Sequence, residues 1–259
     1  MSKKIKNAKG FLFDLDGVFI QSGRTLPGAI ETIQILNKKQ IPYRFLTNTT
    51  IKSRKTLHLF LDELGIKCEK EHIYSAGYSG VKTLIEMGSP SCYLYITEDL
   101  KNDYSNFKLC DKSPEIIVIG DYEKWNFERI NQAFNFVMEG AQILALHVGK
   151  YYKTDSGLRI DAGAIVKGLE YATDKKAIIA GKPNTHFFKN ALNDLQLKAS
   201  DVVMVGDDIY NDIYGAQRLN IHSVLVKTGK YHSGMMDSSN LEPEDLINSI
   251  MDVANIVSS

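Results

Sequence analysis

Short apolar runs, each closed by a polar cluster, recur along this chain and restrict it to few folds. Phe11-Leu12-Phe13 runs into Asp14-Leu15-Asp16-Gly17, and Arg44-Phe45-Leu46 runs into Thr47-Asn48. Later, Ala177-Ile178-Ile179-Ala180 meets Gly181-Lys182-Pro183, and Val202-Val203-Met204-Val205 meets Gly206-Asp207-Asp208-Ile209-Tyr210-Asn211-Asp212. Runs of this kind fit strands buried on both faces, and helical patterns stand between them. Pro27 opens a helix with Ile30, Ile33 and Leu36 on one face. Ser53 caps another that carries Leu57, Leu61 and Leu64 and stops at Gly65. Pro183 opens a third with Phe188, Ala191, Leu192 and Leu195, and a fourth runs through Ile213 and Ala216. Residues 223–226 read as a last short strand, and a terminal helix starts near Pro243 with Leu246, Ile247, Ile250, Met251 and Ala254 buried. The alternation predicts an α/β fold, a doubly wound, Rossmann-like parallel sheet covered on both faces.

A segment with its own strands and helix interrupts this pattern. Residues 92–96, 116–119 and 142–148 read as strands, and Phe127, Ile130, Phe134 and Val137 mark a helix between the last two. None of the four polar clusters falls there. The expected organisation is therefore a core from 1–85 and 179–259, with an inserted α/β domain at 86–178. Residues 233–240 are polar and read as a mobile loop.

Composition excludes several classes of function. Thirty-one basic residues balance thirty-one acidic ones, which removes the electrostatic reason to expect a nucleic acid or an anionic membrane as partner. Cys68, Cys92 and Cys110 lie far apart and form no CxxC pair, so a disulfide framework or structural zinc site is not expected and a reducing compartment fits. The first nine residues are basic, but the apolar run behind them is short and carries two aspartates, unlike a signal peptide. A soluble, cytoplasmic, globular protein is the expectation.

In open parallel sheets, ligands sit beyond the carboxyl ends of the strands. That rule brings Asp14, Asp16, Asp207 and Asp212 to one edge, with Thr47 and Lys182 beside them. Two unit charges about 5 Å apart at an effective dielectric near 20 repel by roughly 3 kcal/mol, so such carboxylates call for a cation. Oxygen donors without histidine or thiolate select a hard ion, and Mg²⁺ fits best. A divalent ion, a lysine and a threonine hydroxyl around one point suit a phosphoryl group. Asp14 and Asp16 can divide attack on phosphorus and proton transfer between them. Taken singly, each cluster has a plainer reading: Asp-x-Asp-Gly and Gly-Lys-Pro as ordinary turns, Thr47-Asn48 as a helix cap or turn. Clustered acids behind a buried apolar run have no packing purpose, and the four together favour a site.

With these clusters the chain resembles the haloacid dehalogenase-like phosphatases, whose four motifs it matches in order. Phe13-Asp14-Leu15-Asp16-Gly17-Val18 is similar to the first, Leu46-Thr47-Asn48 to the second, Lys182 in Gly-Lys-Pro to the third, and Gly206-Asp207-Asp208 with Asp212 to the fourth. The insertion is similar to the type-two (C2) cap of the subgroup that holds NagD and pyridoxal phosphate phosphatase. Tyr151-Tyr152-Lys153, Ser156-Gly157-Leu158 and Leu169-Glu170-Tyr171-Ala172 resemble the branch containing phospholysine phosphohistidine inorganic pyrophosphate phosphatase; Gly206-Asp207-Asp208-Ile209 and Lys227-Thr228-Gly229-Lys230-Tyr231 agree with it.

The resemblance implies a Mg²⁺-dependent phosphohydrolase that works through an aspartyl-phosphate on a small phosphorylated substrate. Asp14 would be the nucleophile, and Asp16 the acid and then base, with its carbonyl also on the metal. Asp207 would be the main metal carboxylate. Asp212, and in a supporting position Asp208, would hold metal waters or orient Lys182. Thr47, Lys182 and backbone N–H groups near Asn48 would bind the phosphoryl oxygens. Asp16 argues against dehalogenation, because dehalogenases of the superfamily lack that second aspartate. The alternatives are a phosphotransferase or mutase using the same intermediate, or a phospho-ligand-binding protein with vestigial activity. Relatives with this cap are often dimers, so a homodimer is an expectation of the resemblance alone.

Two further patterns imitate known motifs. Ile116-Ile117-Val118-Ile119-Gly120-Asp121 imitates the fourth motif, but Asn126 stands where it would need an acid, and Asp121 reads as a strand-end turn residue. Gly77-Tyr78-Ser79-Gly80 is one residue short of a nucleophile elbow. In the insertion, Tyr151, Tyr152, Lys153, Asp155, Arg159 and Asp161 form a polar and aromatic stretch, read equally as a solvated hairpin or a specificity loop. Relatives commonly place proline after the glycine of this loop, whereas this chain has Gly163-Ala164.

Overall fold

A computed structural model describes residues 3–154 and 157–259, with the backbone alone at Lys153 and Thr154. Asp155 and Ser156, within the polar and aromatic stretch of the insertion, lie outside the described residues. The chain forms two compact units. The first comprises Met1–Thr47, Leu57–Tyr74 and Lys182–Ser259, and the second Asn48–Thr56 and Ser75–Gly181.

The first unit is built on a six-stranded sheet in the order Asp245–Ile247, His222–Val226, Val202–Gly206, Gly10–Asp14, Tyr43–Thr47, Ile73–Ser75. In chain order this is 3-2-1-4-5-6 read from the far edge, the doubly wound arrangement. The pairings from Tyr43–Thr47 across to Asp245–Ile247 are parallel, with Phe13 opposite both Val205 and Phe45. Gly10–Asp14 and Val202–Gly206 are buried along their whole length, as unbroken apolar runs require. On one face Phe13, Phe19, Tyr43 and Phe45 interlock, with Phe19 edge-on to Phe13 and to Phe45 at 5.1 Å between centroids.

In the second unit, the parallel sheet Ile178–Ile179, Gln142–Ala145, Ile116–Ile119, Cys92–Tyr95 alternates its side chains between two clusters. Ile116 and Val118 join Leu94, Leu144, Leu84 and Tyr104, whereas Ile117 and Ile119 join Tyr95, Phe136 and Val166. Helices Ala76–Glu86, Phe127–Met138 and Ala162–Thr173 supply these clusters, and the backbones of Tyr151–Thr154 and Gly157–Ile160 pair as an antiparallel hairpin.

Several expectations give way to the structure. The run at 177–180 does not enter the first unit's sheet: Ile178–Ile179 is a half-buried edge strand paired with Leu144 and Ala145. Helices Ala29–Lys38 and Thr185–Leu195 each start two residues beyond the prolines expected to open them, behind Gly28 and Asn184. At the C-terminus Leu246 and Ile247 belong to a strand, not a helix; the helix waits until Ile250, where Ser249 and Asp252 form a capping box. Within 233–240, Met235–Ser239 is helical, with Met235 buried against Ile209, Ile213 and Leu225. Ile73–Ser75 is a strand too short to show a period.

Candidate active site

Three adjacent strands deliver the first side chains. Asp14 ends Gly10–Asp14, Thr47 ends Tyr43–Thr47, and Asp207 directly follows Val202–Gly206. The strand order reverses direction between Gly10–Asp14 and Val202–Gly206, where such sheets open a crevice. Asp212 returns to this point because Ile209–Tyr214 is wound as a π-helix, with Ile213 N–H reaching the Asp208 carbonyl. One carboxylate oxygen from each of Asp14, Asp207 and Asp212 lies within 4.8 Å of the other two, and all three residues are buried.

Lys182 is sunk among them. Its Nζ donates to Asp14 Oδ1 and to Asp212 Oδ1, each at 2.7 Å, and to the Leu46 carbonyl at 3.0 Å. Burial alone would lower its pKa, but the two carboxylates outweigh burial and hold the ammonium well above its ordinary value. Burial, and then the neighbouring carboxylates, push Asp207 and Asp212 upward. One ammonium does not neutralise this group.

Asp207 is fixed on one side only. Its Oδ2 accepts from Lys230 N–H at 2.7 Å, and the Gly17 and Gly229 backbones crowd the same oxygen. Its Oδ1 is buried with no hydrogen-bond partner. An unpartnered carboxylate oxygen beside the Asp14 and Asp212 carboxylates is what a bound cation would relieve, and the all-oxygen donors fit a hard ion. Asp208 points elsewhere. Its Oδ1 accepts from the N–H groups of Tyr210 and Asn211, and its Oδ2 from Asn211 Nδ2 and from Lys230 Nζ at 2.8 Å. Burial would raise this carboxyl, but Lys230 and Asn211 outweigh burial and hold it at about 2.

Other residues singled out by sequence fall at different places. Asp16 is exposed, two residues past the strand end, where Gly17 at φ +85° turns the chain. Thr47 is buried, and Asn48 half-buried. In the second unit, Tyr152, Arg159 and Asp161 line a cavity of about 720 Å³ together with Asp121, Tyr122 and Trp125, while Tyr151 is exposed. The Lys153 side chain is outside the description. Ser79, in the elbow-like stretch, lies inside helix Ala76–Glu86 and donates to the Ala180 carbonyl, a packing role.

Sequence reasoning overlooked Lys230 as part of this arrangement. The signal was present: Lys227-Thr228-Gly229-Lys230 follows the strand His222–Val226, a further polar cluster at a strand end. Thr228 donates its hydroxyl to the Gly17 carbonyl, tying this loop to the first strand's turn.

Comparison with known proteins gives this arrangement its relatives. The family described as haloacid dehalogenase-like hydrolase matches residues 11–110, and a HAD-hydrolase-like family matches residues 179–253. The chain is 34% identical over 236 residues to haloacid dehalogenase-like hydrolase domain-containing protein 2 of Mus musculus, covering 91% of this chain and 90% of that one. It is 35% identical over 234 residues to phospholysine phosphohistidine inorganic pyrophosphate phosphatase of Danio rerio, covering 88% and 86%. Among solved structures, NagD of Escherichia coli superposes with a TM-score of 0.87 at 22% identity, over 95% of this chain and 98% of that one. About a third of the aligned residues are shared with the Mus musculus and Danio rerio proteins over most of their length, and the NagD structure superposes over nearly all of its own, so this protein belongs to the haloacid dehalogenase-like hydrolases, with the fold of the NagD-like subgroup.

Proposed function

We propose that the protein is a Mg²⁺-dependent phosphohydrolase of small phosphorylated compounds, working through an aspartyl-phosphate (acyl phosphate) on Asp14. The observation that carries this reading is the environment of Asp14. Lys182 takes up one of its oxygens, and the unpartnered Oδ1 of Asp207 supports a cation among the three carboxylates. The remaining Asp14 oxygen is the nucleophile. It forms a bond to phosphorus as the bond from phosphorus to the leaving group breaks. Asp16 protonates the leaving atom, then takes a proton from the water that attacks phosphorus, so Asp14 is regenerated and inorganic phosphate departs. Its exposure suits a group that exchanges protons with incoming water.

Asp14, Asp207 and Asp212, with the Asp16 carbonyl, would hold Mg²⁺, which supplies charge neutralisation of the phosphoryl oxygens. Thr47 offers a hydroxyl to those oxygens, and Lys182 keeps its charge so that it can turn from Asp14 toward them. Asp208 positions the start of the Ile209–Tyr214 helix. The second unit is read as the cap that selects substrates, with Tyr152, Arg159 and Asp161 as specificity residues. The name of the Danio rerio relative brings phosphoamides and pyrophosphate into the candidate substrates. Three free thiols fit a reducing, cytoplasmic setting.

The test is release of phosphate from p-nitrophenyl phosphate and a panel of phosphorylated metabolites, phosphoamides and pyrophosphate. Asp14→Asn is expected to lower Mg²⁺-dependent turnover by roughly a thousandfold or more, because the intermediate is no longer formed. Retained turnover in that variant refutes the mechanism. Label passed to an acceptor sugar with little free phosphate would identify a transferase instead.

A further inference from the structure

The second unit holds a group of side chains of which the reading above uses Asp161 alone, as a specificity residue. Asp121 follows the strand Ile116–Ile119 by two residues, His147 follows Gln142–Ala145 by two, and Asp161 caps helix Ala162–Thr173. The two strands are parallel neighbours with Ile119 opposite Ala145, so Asp121 and His147 emerge side by side. The His147 side chain is 8% exposed, and its Nε2 is buried with no hydrogen-bond partner. That nitrogen stands 3.8 Å from Asp121 Oδ2 and 3.7 Å from Asp161 Oδ1, and one donor atom from each residue falls within 4.8 Å of the other two.

These separations are too long for hydrogen bonds. They are the spacing of atoms that share one ion, each about 2.1 Å from it. Two carboxylates this close repel by about 3 kcal/mol at an effective dielectric near 20, which a cation between them would reverse. Both are already oriented by other bonds. Asp121 Oδ2 accepts from the Thr50 hydroxyl at 2.5 Å, and Asp161 Oδ1 accepts from Ala162 N–H at 2.7 Å. Asp121 and Asp161 also line the 720 Å³ cavity, which provides a route of entry.

We propose that Asp121, His147 and Asp161 form a site for a divalent cation of the Zn²⁺ or Mn²⁺ class, made entirely by the second unit. One imidazole nitrogen with two carboxylates suits such ions better than Mg²⁺ or Ca²⁺, which favour oxygen alone. One contact opposes uptake. Gly149 N–H donates to His147 Nδ1 at 3.2 Å, leaving the ring proton on Nε2 in the ion-free protein. An ion needs the Nε2 lone pair, so on binding the proton moves to Nδ1 and this long hydrogen bond is given up.

The experiment is titration of the full chain with Zn²⁺ and Mn²⁺, in an Asp207→Asn background that weakens the other carboxylate group. One ion per chain is expected, bound at least tenfold more tightly than Mg²⁺. Asp161→Asn and His147→Ala should each weaken it tenfold or more, with circular dichroism spectra matching the parent. Nitrogen NMR should show His147 changing from the Nε2–H to the Nδ1–H form on loading. Absence of a stoichiometric ion overturns the proposal and leaves the gap to ordered water. Binding that ignores both substitutions, or that leaves the His147 tautomer unchanged, overturns it equally. Phosphatase activity is no part of the readout, so failure here is separate from failure of the mechanism at Asp14.

Discussion

Asp207 owes its orientation to two glycines as much as to its own strand. Gly17 has φ +85° and Gly229 φ +60°, and a Cβ added to either would stand 2.0 Å or 1.9 Å from Asp207 Oδ2. Gly229→Ala should therefore turn the carboxylate away from the proposed ion. Mg²⁺ affinity measured by calorimetry is expected to fall at least tenfold, with a stability loss of about 1–2 kcal/mol from the left-handed backbone alone. Unchanged affinity would mean that Asp207 is not constrained as described. At this scale the sequence was partly legible. Asp14, Lys182, Asp207 and Asp212 stand together as their spacing behind apolar runs suggested. Lys230 and His147 were not found, because what makes them notable is a through-space neighbour: Asp208 for one, Asp121 and Asp161 for the other.

Helix Arg54–Glu63 shows how an element can be legible while its anchor is not. Ser53 was readable as a cap, and its Oγ does accept from Thr56 N–H at 3.2 Å. The carboxylate that holds this turn comes from Asp99. It accepts from Ser53 N–H at 2.6 Å and from the Thr56 hydroxyl at 2.9 Å. Burial would raise the Asp99 carboxyl, but these donors outweigh burial and lower it. A folded pKa below the unfolded one gives stability that is complete above the unfolded value and is lost as pH falls through the folded one. Asp99→Ala should thus cost about 1–3 kcal/mol at neutral pH. In urea melts the gap between variant and parent should close as pH drops below about 4; a constant gap would show that charge is not involved. Similarly, the prolines at 27 and 183 signalled helices correctly but not their first residues, since Gly28 and Asn184 provide the caps.

At the scale of the whole molecule, ion binding and stability are linked. If Asp14, Asp207 and Asp212 hold Mg²⁺ only when folded, saturation a hundredfold above Kd should stabilise the first unit by about 2.7 kcal/mol. That corresponds to a rise of roughly 5–10 °C in its thermal transition. Asp207→Asn should abolish the shift, and a chelator should reverse it; scanning calorimetry with and without Mg²⁺ decides. Class and core were written in the sequence, because apolar runs buried on both faces and 3.6-residue helical spacing are local properties. The sequence by itself determined an α/β chain with charged residues at strand ends, and the chemistry those residues favour. Only tertiary structure decided which strands share a sheet, sending residues 178–179 to the second unit and residues 245–247 to the first. Strand pairing is a contact between distant segments, and no local pattern encodes the partner. For the same reason, Asp14 joins the distant Asp207 and Asp212 in one charge group only when the sheet pairs Gly10–Asp14 with Val202–Gly206.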